Sequence, residues 1–462
     1  MQHQERVERA AQGTRHAERL AAADVVAVAL TWVDNGGITR VKAVPTAALP
    51  RAAAWGVGAT PLFDFFLPDD SITDGRWSAG PTGDLRLLPD LDRLVVLAAQ
   101  PGWAWAPVDR WTQEGEPHPQ CSRATAGRLA GRLAGMGITV RMAFEIEWVL
   151  APAEGPGPGP GFVPAMSGPA YGMARLVERS DYAADLLRAL AAQEVEVLQF
   201  HPEYAPGQLE VSVAPESPVA AADTAVLVRT TIRAVAQRHG LRVSFAPAVV
   251  AGEVGNGGHV HLSIHRAGRN LMSGGDGPCG LAKEGEGFTA GILDRLPALL
   301  AVAAPSVASY LRLVPSHWAG VYACWGPENR EAAVRLVTGS VGEQAAAANV
   351  EVKCMDQSAN PYLVVAGLLA CGLAGIEQGA RLRDPVYIDP ARWSAGERST
   401  RGVVRLPQRL EDAVAAFRRE SVLAEAFGPE LADTIAAVRD AEIARFAGVA
   451  PGDVVAASRW TH

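Results

Sequence analysis

In the stretch Phe144-Glu145-Ile146-Glu147-Trp148, two carboxylates stand two residues apart among hydrophobic neighbours. Alternate residues of a strand share a face, so Glu145 and Glu147 point one way and the apolar side chains the other. A single face of this kind is an ordinary solvated strand edge, but here the pattern recurs. Glu210 projects from GQLEVSV (207–213), Glu203 precedes it in HPEYAPG, and Glu351-Val352-Lys353 repeats the charged-apolar-charged alternation. A fourth run, GNGGHVHLSIH (255–265), puts His259, His261, Ser263 and His265 on one face. Several carboxylates with one or two imidazoles suit Mg2+ or Mn2+, which take mainly oxygen ligands. Zinc would want more His or Cys, and the cysteines (Cys121, Cys279, Cys324, Cys354, Cys371) are odd in number and show no CxxC spacing. They read as reduced thiols.

A second group is basic: Arg312, Arg330 and Arg335 in WGPENREAAVR, and Lys353 beside Glu351. As bare residues these are ordinary surface cations. Beside a divalent metal, such groups clamp phosphate oxygens and anchor a substrate carboxylate. There is no GxxxxGK[ST] loop, so a P-loop enzyme is excluded.

The elements that must position these groups follow from pattern. Val25 to Val33 is β-rich, Asp34-Asn35-Gly36-Gly37 supplies a hairpin turn, and Ile38 to Val44 returns. Pro61 to Arg76 has no clean periodicity and reads as a long acidic loop. Strands at 85–88 and 94–97 precede a patternless, Trp- and Pro-rich stretch, 102–120, and a helix over 123–135. The domain boundary is expected near residue 115, giving units 1–115 and 116–462. The PGPGP tract (156–160) is expected to be a surface loop. Helices over 183–193, 220–239 and 364–378 alternate with short strands, which predicts an α+β body.

At 462 residues and 48% hydrophobic, the chain can bury a large core in two domains. A net charge of −8 disfavours nucleic acid as a partner. The longest apolar stretches, 296–311 and 363–376, fall short of the roughly 18 residues that span a bilayer, so they read as buried helices and no membrane partner is expected. The N-terminal twenty residues mix charges without an apolar signal core and read as a surface helix, which places the protein in the cytoplasm.

Taken in order, TWVDNGGITRVKAVP, the ExE strand at Glu145, HPEYAPGQLEV, GNGGHVHLS, SYLRLVPS, CWGPENREAAVR and VEVKCMDQSANPYLVVAGLLACGLAGIE resemble the glutamine synthetase superfamily, class I type. Within it, the chain is most similar to the γ-glutamyl amine ligases. The resemblance implies an N-terminal β-grasp domain and a C-terminal catalytic domain with a curved antiparallel sheet. It also implies a homo-oligomer, a dodecamer of two hexameric rings with active sites between subunits. By the same carry-over, Glu147, Glu203 and Glu210 hold one metal ion, and Glu145, His259 and Glu351 another. Two or three Mg2+ or Mn2+ ions serve each site, with ATP as co-substrate. His261, Ser263, Arg330 and Arg335 match ATP-side positions; Gly255, Arg312 and Lys353 match glutamate-side positions, with Arg330 and Arg312 catalytic. The implied reaction phosphorylates the γ-carboxylate of glutamate with ATP and lets an amine displace phosphate.

One departure bears on the amine. In ammonia-using members, the segment after RLVP carries a glutamate that takes a proton from the attacking ammonium; here Trp318 stands at that place. An indole cannot take a proton but can pack on a carbon chain and hold an ammonium by cation–π contact. The acceptor is therefore expected to be an alkylamine. Trp318 with His317 suggests a narrow aromatic mouth and a short amine, ethanolamine. The alternative is a polyamine whose distal cation is received by Asp64, Asp69 or Asp70. True glutamine synthetase activity and an inactive structural member are the remaining readings; the second is disfavoured by the complete set of ligands.

Overall fold

The computed structural model describes residues 3–154 and 161–462, so the PGPGP tract expected to be a loop lies outside the described residues. The expected surface helix spans His3–Ala22. The N-terminal sheet contains β1 (Ala27–Val33), β2 (Thr39–Pro45), β3 (Val57–Ala59), β4 (Leu85–Pro89), β5 (Val95–Val96) and β6 (Trp103–Trp111). Its order is β2-β1-β6-β4-β3, with β5 also on β6, and β1 runs parallel to β6. Strand β6 corrects the reading of 102–120 as patternless. Its residues are mostly buried on both faces, so no polar alternation marks it in the sequence. The acidic segment is also more ordered than expected: Pro61–Phe65 is a 3-10 turn capped by the Thr60 side chain, and Phe66 bridges Ile72.

The catalytic sheet comprises β7 (Ile138–Pro152), β8 (Val197–Pro202), β9 (Gln208–Val213), β10 (Leu241–Ser244), β11 (Val260–Arg266), β12 (Arg269–Asn270), β13 (Tyr322–Pro327), β14 (Ala332–Val337), β15 (Asn349–Val352) and β16 (Val404–Arg405). The main path is β16-β13-β14-β15-β11-β7-β9-β8. All pairs are antiparallel except β13 with β14. The first half of the long strand β7 pairs with β11 and the second with β9, so it carries the sheet from one half of the site to the other.

The apolar stretch 296–311, expected as one buried helix, instead ends the helix Lys283–Ala303 and continues into the short helix Ser309–Arg312. Behind the sheet, the helices Lys283–Ala303 and Pro361–Glu377 cross at very close range. Glycine makes this possible: a Cβ on Gly291 would stand 2.2 Å from the Cys371 carbonyl oxygen, and one on Gly375 would stand 2.1 Å from that of Gly287. Among the described residues, no helix is long and apolar enough to cross a membrane. The hairpin tip at 34–37 packs on the catalytic domain, where Asn360 Nδ2 donates to the Val33 and Asp34 carbonyls at 3.0 and 3.1 Å.

Candidate active site

Strand register builds the site. His201 of β8 lies opposite Glu210 of β9, which lies opposite Glu147 of β7. On the other side, Arg335 of β14 faces Glu351 of β15, which faces His261 of β11. The Glu145 amide donates to the His259 carbonyl at 3.0 Å, joining the two halves.

Glu145 lies between two imidazoles, with His259 Nδ1 2.8 Å from one carboxylate oxygen and His261 Nε2 3.0 Å from the other. His259 Nδ1 is also 3.3 Å from Glu351, whose carboxylate meets Lys353 Nζ at 2.8 Å and Arg335 Nη1 at 3.1 Å. Burial would raise both carboxyls, but the neighbouring cations win. His261 and His259 hold Glu145 well below the usual range, and Lys353, then His261 and His259, hold Glu351 at about 2. Burial likewise opposes a charge on His261, yet Glu145 raises it to about 9.

The second cluster has the opposite balance. Glu147 is buried, accepts from Gln208 Nε2 and the Gly257 amide at 2.8 Å each, and is pushed up to about 7 by burial, with the like charges of Glu210 and Glu203 contributing. Burial also raises Glu210. His201, hydrogen-bonded to Glu210, is raised to about 9. Ligand atoms of His201, Glu203 and Glu210 lie within 4.8 Å of one another, as do those of Glu145, His259 and Glu351. These crowded, mainly oxygen donor sets fit divalent cations of the Mg2+ type: a cation would offset the burial and the mutual repulsion that raise Glu147 and Glu210.

Gly257 marks where the clusters meet. A Cβ there would stand 2.6 Å from His259 Nε2, 2.7 Å from Glu147 Oε1 and 3.0 Å from Arg312 Nη2. Arg312 is itself buried; its Nη2 donates to the Lys353 carbonyl at 3.1 Å, while Nη1 is buried with no acceptor among the described residues. An unsatisfied buried guanidinium N–H beside a glycine floor suits an anionic ligand such as a carboxylate. Gly255 lines the same floor, its carbonyl accepting from Gln208 at 3.2 Å.

The other expected site residues are more dispersed. Ser263 binds His265 at 3.0 Å, and His261 Nδ1 contacts Asn349 at 2.8 Å. Arg330 is exposed in the turn before β14, and among the described residues no hydrogen bond or ion pair ties it to either cluster. Trp318 is 48% exposed and its ring meets Tyr204 edge-on at 6.3 Å, next to Glu203; His317 beside it is half-buried. Asp64 corrects the expectation of a free acid for an amine: it is 1% exposed and held by Arg110 at 2.5 Å and His118 at 3.0 Å. A carboxylate so paired has no capacity left for a distal cation. Asp70 and Asp69 are also paired, with Arg40 at 2.6 Å and Arg445 at 3.2 Å, but unlike Asp64 they stay open to solvent.

Sequence reasoning missed His201 and Gln208. His201 stands two residues before Glu203, and Gln208 two before Glu210. That i, i+2 spacing was the available signal, obscured by the turn between the two strands.

Comparison with known proteins is consistent with this geometry. The family described as "Glutamine synthetase, catalytic domain" matches residues 119–452, and "Glutamine synthetase N-terminal domain" matches 11–114. A gamma-glutamylpolyamine synthetase of Streptomyces coelicolor is 58% identical over 436 residues, 94% of this chain and 93% of the relative. A glutamate–methylamine ligase of Methyloversatilis universalis is 28% identical, over 86% of this chain and 88% of the relative. Among solved structures, a novel glutamine synthase homolog aligns with a TM-score of 0.84 at 34% identity, covering 95% of this chain and 99% of that one. The GmaS/ADP complex aligns at 0.81 and 28% identity, covering 94% and 97%.

Proposed function

The chain belongs to the glutamine synthetase family and is a ligase of that type, and from this premise we propose that it joins the γ-carboxylate of glutamate to a polyamine at the expense of ATP. The observation that carries the choice of acceptor is the 58% identity to a gamma-glutamylpolyamine synthetase over nearly the whole chain. The short amine expected from Trp318 and His317, ethanolamine, has no comparable support. The glutamate–methylamine ligase nevertheless keeps short amines in the test.

In this reading a γ-carboxylate oxygen of glutamate attacks the terminal phosphorus of ATP, forming an O–P bond and releasing ADP. The amine nitrogen then attacks the acyl carbon; the C–N bond forms, the C–O bond to phosphate breaks, and the nitrogen loses a proton. Arg312, whose Nη1 has no partner among the described residues, and the floor at Gly255 receive the glutamate. Arg335 stands on the phosphate side, and in this reading Arg330 joins it from the exposed turn before β14; His261 and Ser263 face the nucleotide. Lys353 keeps Glu351 ionised, which a ligand carboxylate must be. Enzymes of this type use ATP and divalent metal; Mg2+ or Mn2+, held by Glu145, His259 and Glu351 and by Glu147, Glu203 and Glu210 with His201, would offset the charge of the transferring phosphoryl group. The rest of the proposal comprises a domain boundary at residue 115, a ring-shaped homo-oligomer and a cytoplasmic location.

The test is a panel of ammonium, methylamine, ethanolamine, putrescine and spermine, scored as kcat/KM for ADP release with saturating glutamate and ATP, and by the mass of the product. Putrescine or spermine is expected to lead. A lead for ethanolamine or ammonium overturns the polyamine choice; no ADP release with any amine, from protein that is folded and metal-loaded, revives the inactive-member reading.

A further inference from the structure

Residues 314–320 connect the helix Ser309–Arg312 to β13 by an unfavourable path, since Ser316 (φ 60°) and Trp318 (φ 55°) both adopt the left-handed conformation without being glycine. Something must hold them there. The Trp318 amide donates to Glu331 Oε1 at 2.9 Å, and Ser316 Oγ donates to Asp389 at 2.8 Å. Gly320 completes the seat: a Cβ there would come within 2.8 Å of Lys353 Cβ, so the segment lies directly against the lysine that binds Glu351.

Glu331 is only 7% exposed, and its second oxygen is buried with no hydrogen-bond partner among the described residues. Burying a carboxylate to hold the backbone of this short turn, at Trp318 and Ser316, is an expensive arrangement for stability alone. It is also firmly fixed: the Glu331 amide donates to Asn329 Oδ1 at 3.0 Å, and Asn329 Nδ2 donates to the Val386 carbonyl at 2.8 Å. What this anchor presents is the half-exposed indole of Trp318, edge-on to Tyr204, whose own amide is bound by Glu203. A continuous path therefore runs from Glu331 through Trp318 and Tyr204 to the acidic cluster.

We infer that Glu331 is a positioning residue for amine selection: its carboxylate holds the backbone of Trp318 so that the indole and Tyr204 form one aromatic wall beside Glu203, along which the carbon chain of the acceptor amine lies. This rests on the proposed amine ligase reading, in which the acceptor enters past Trp318. The wall would favour a long alkylamine over ammonium by contact with methylene groups and by cation–π attraction.

The experiment is a double-variant cycle with separate KM values for amine, glutamate and ATP. Glu331→Ala is expected to raise the KM of the preferred amine about tenfold, leave those of ATP and glutamate within about twofold, and reduce the preference over ammonium. Glu331→Gln, which keeps an acceptor oxygen for the Trp318 amide, should restore most of the loss. Because Glu331 acts through the indole, its replacement in a Trp318→Ala background should add nothing further. Full additivity of the two variants, or equal shifts in all three KM values, overturns the inference. If Glu331→Ala does not fold, Ser316→Ala removes the exposed second anchor; a raised amine KM supports the proposal and an unmoved one overturns it. Wild-type protein inactive with every amine sinks the ligase reading itself, whereas an active wild type with unmoved amine KM in these variants sinks only this inference.

Discussion

Glu145 is shared by His259 and His261, so neither imidazole is free to turn, and the nitrogens of one side of the site are oriented by one carboxylate. Glu145→Ala or His259→Ala should abolish ADP formation while the cooperative thermal transition remains, because packing is done by the opposite strand face, where Val260, Leu262 and Phe144 are buried. An active variant of either kind would remove these residues from the metal site. The second cluster predicts a pH dependence. His201 and Glu147 are raised to about 9 and about 7, so protons occupy the ligand atoms that a cation needs. Metal binding must expel them; Mn2+ affinity should rise with pH up to about 9 and fall most steeply below about 7. Calorimetry in buffers of different ionisation enthalpy should show protons released on binding, and an affinity flat across that range would contradict the assignment.

Strands and helices supply the precision that side chains alone lack. A one-residue slip of β9 against β7 would turn Glu210 away from Glu147 and bury it in the core, so the hydrophobic alternation that fixes register also fixes the ligand set. The helix pair behind the sheet sets the depth of that platform. Gly291→Ala would place a methyl 2.2 Å from the Cys371 carbonyl oxygen and 2.7 Å from Gly375 Cα, contacts relieved only by separating the two helices. We expect a loss of about 1–3 kcal/mol, read as a lowered denaturant midpoint, with glutamate and ATP KM values little changed. An unchanged midpoint would mean that the helices can part without cost.

At the scale of the whole molecule, the two domains are clamped by Arg123, which reaches Asp223 at 2.9 Å, Asp90 at 2.6 Å and Asp109 at 3.0 Å. Asp223 has a fully buried side chain and also accepts from the Tyr362 hydroxyl at 2.7 Å. Removing the guanidinium leaves a buried carboxylate short of its main partner, so Arg123→Ala should cost roughly 3–5 kcal/mol. The clamp joins the residue after β4 and strand β6 of the N-terminal sheet to the helices Ser122–Gly135 and Pro218–Arg238 of the catalytic domain, so the variant should also split one unfolding transition into two in calorimetry. A single, unshifted transition would show that the domains do not depend on this contact.

The ligand-bearing strands could be read from the sequence because their polar and apolar residues alternate, and strand geometry converts that alternation directly into a common face. Whereas the apolar stretch 296–311 is split, its first part ending the helix Lys283–Ala303 and the rest turning into a separate short helix, Ser309–Arg312, the buried helix at 361–377 declared itself by apolar length. Strand β6 did not, since burial on both faces erases the alternation, and Asp64 looked like a free acid because Arg110 and His118 reach it from 46 and 54 residues away. The recruitment of His201 to Glu210, and the anchoring of Trp318 by Glu331 thirteen residues on, also depend on partners brought together across strands and turns. Sequence determined which residues lie on one face of a single strand, because that period is local; tertiary structure alone decided which faces meet, because a carboxylate's role depends on what long-range packing places within about 3 Å of it.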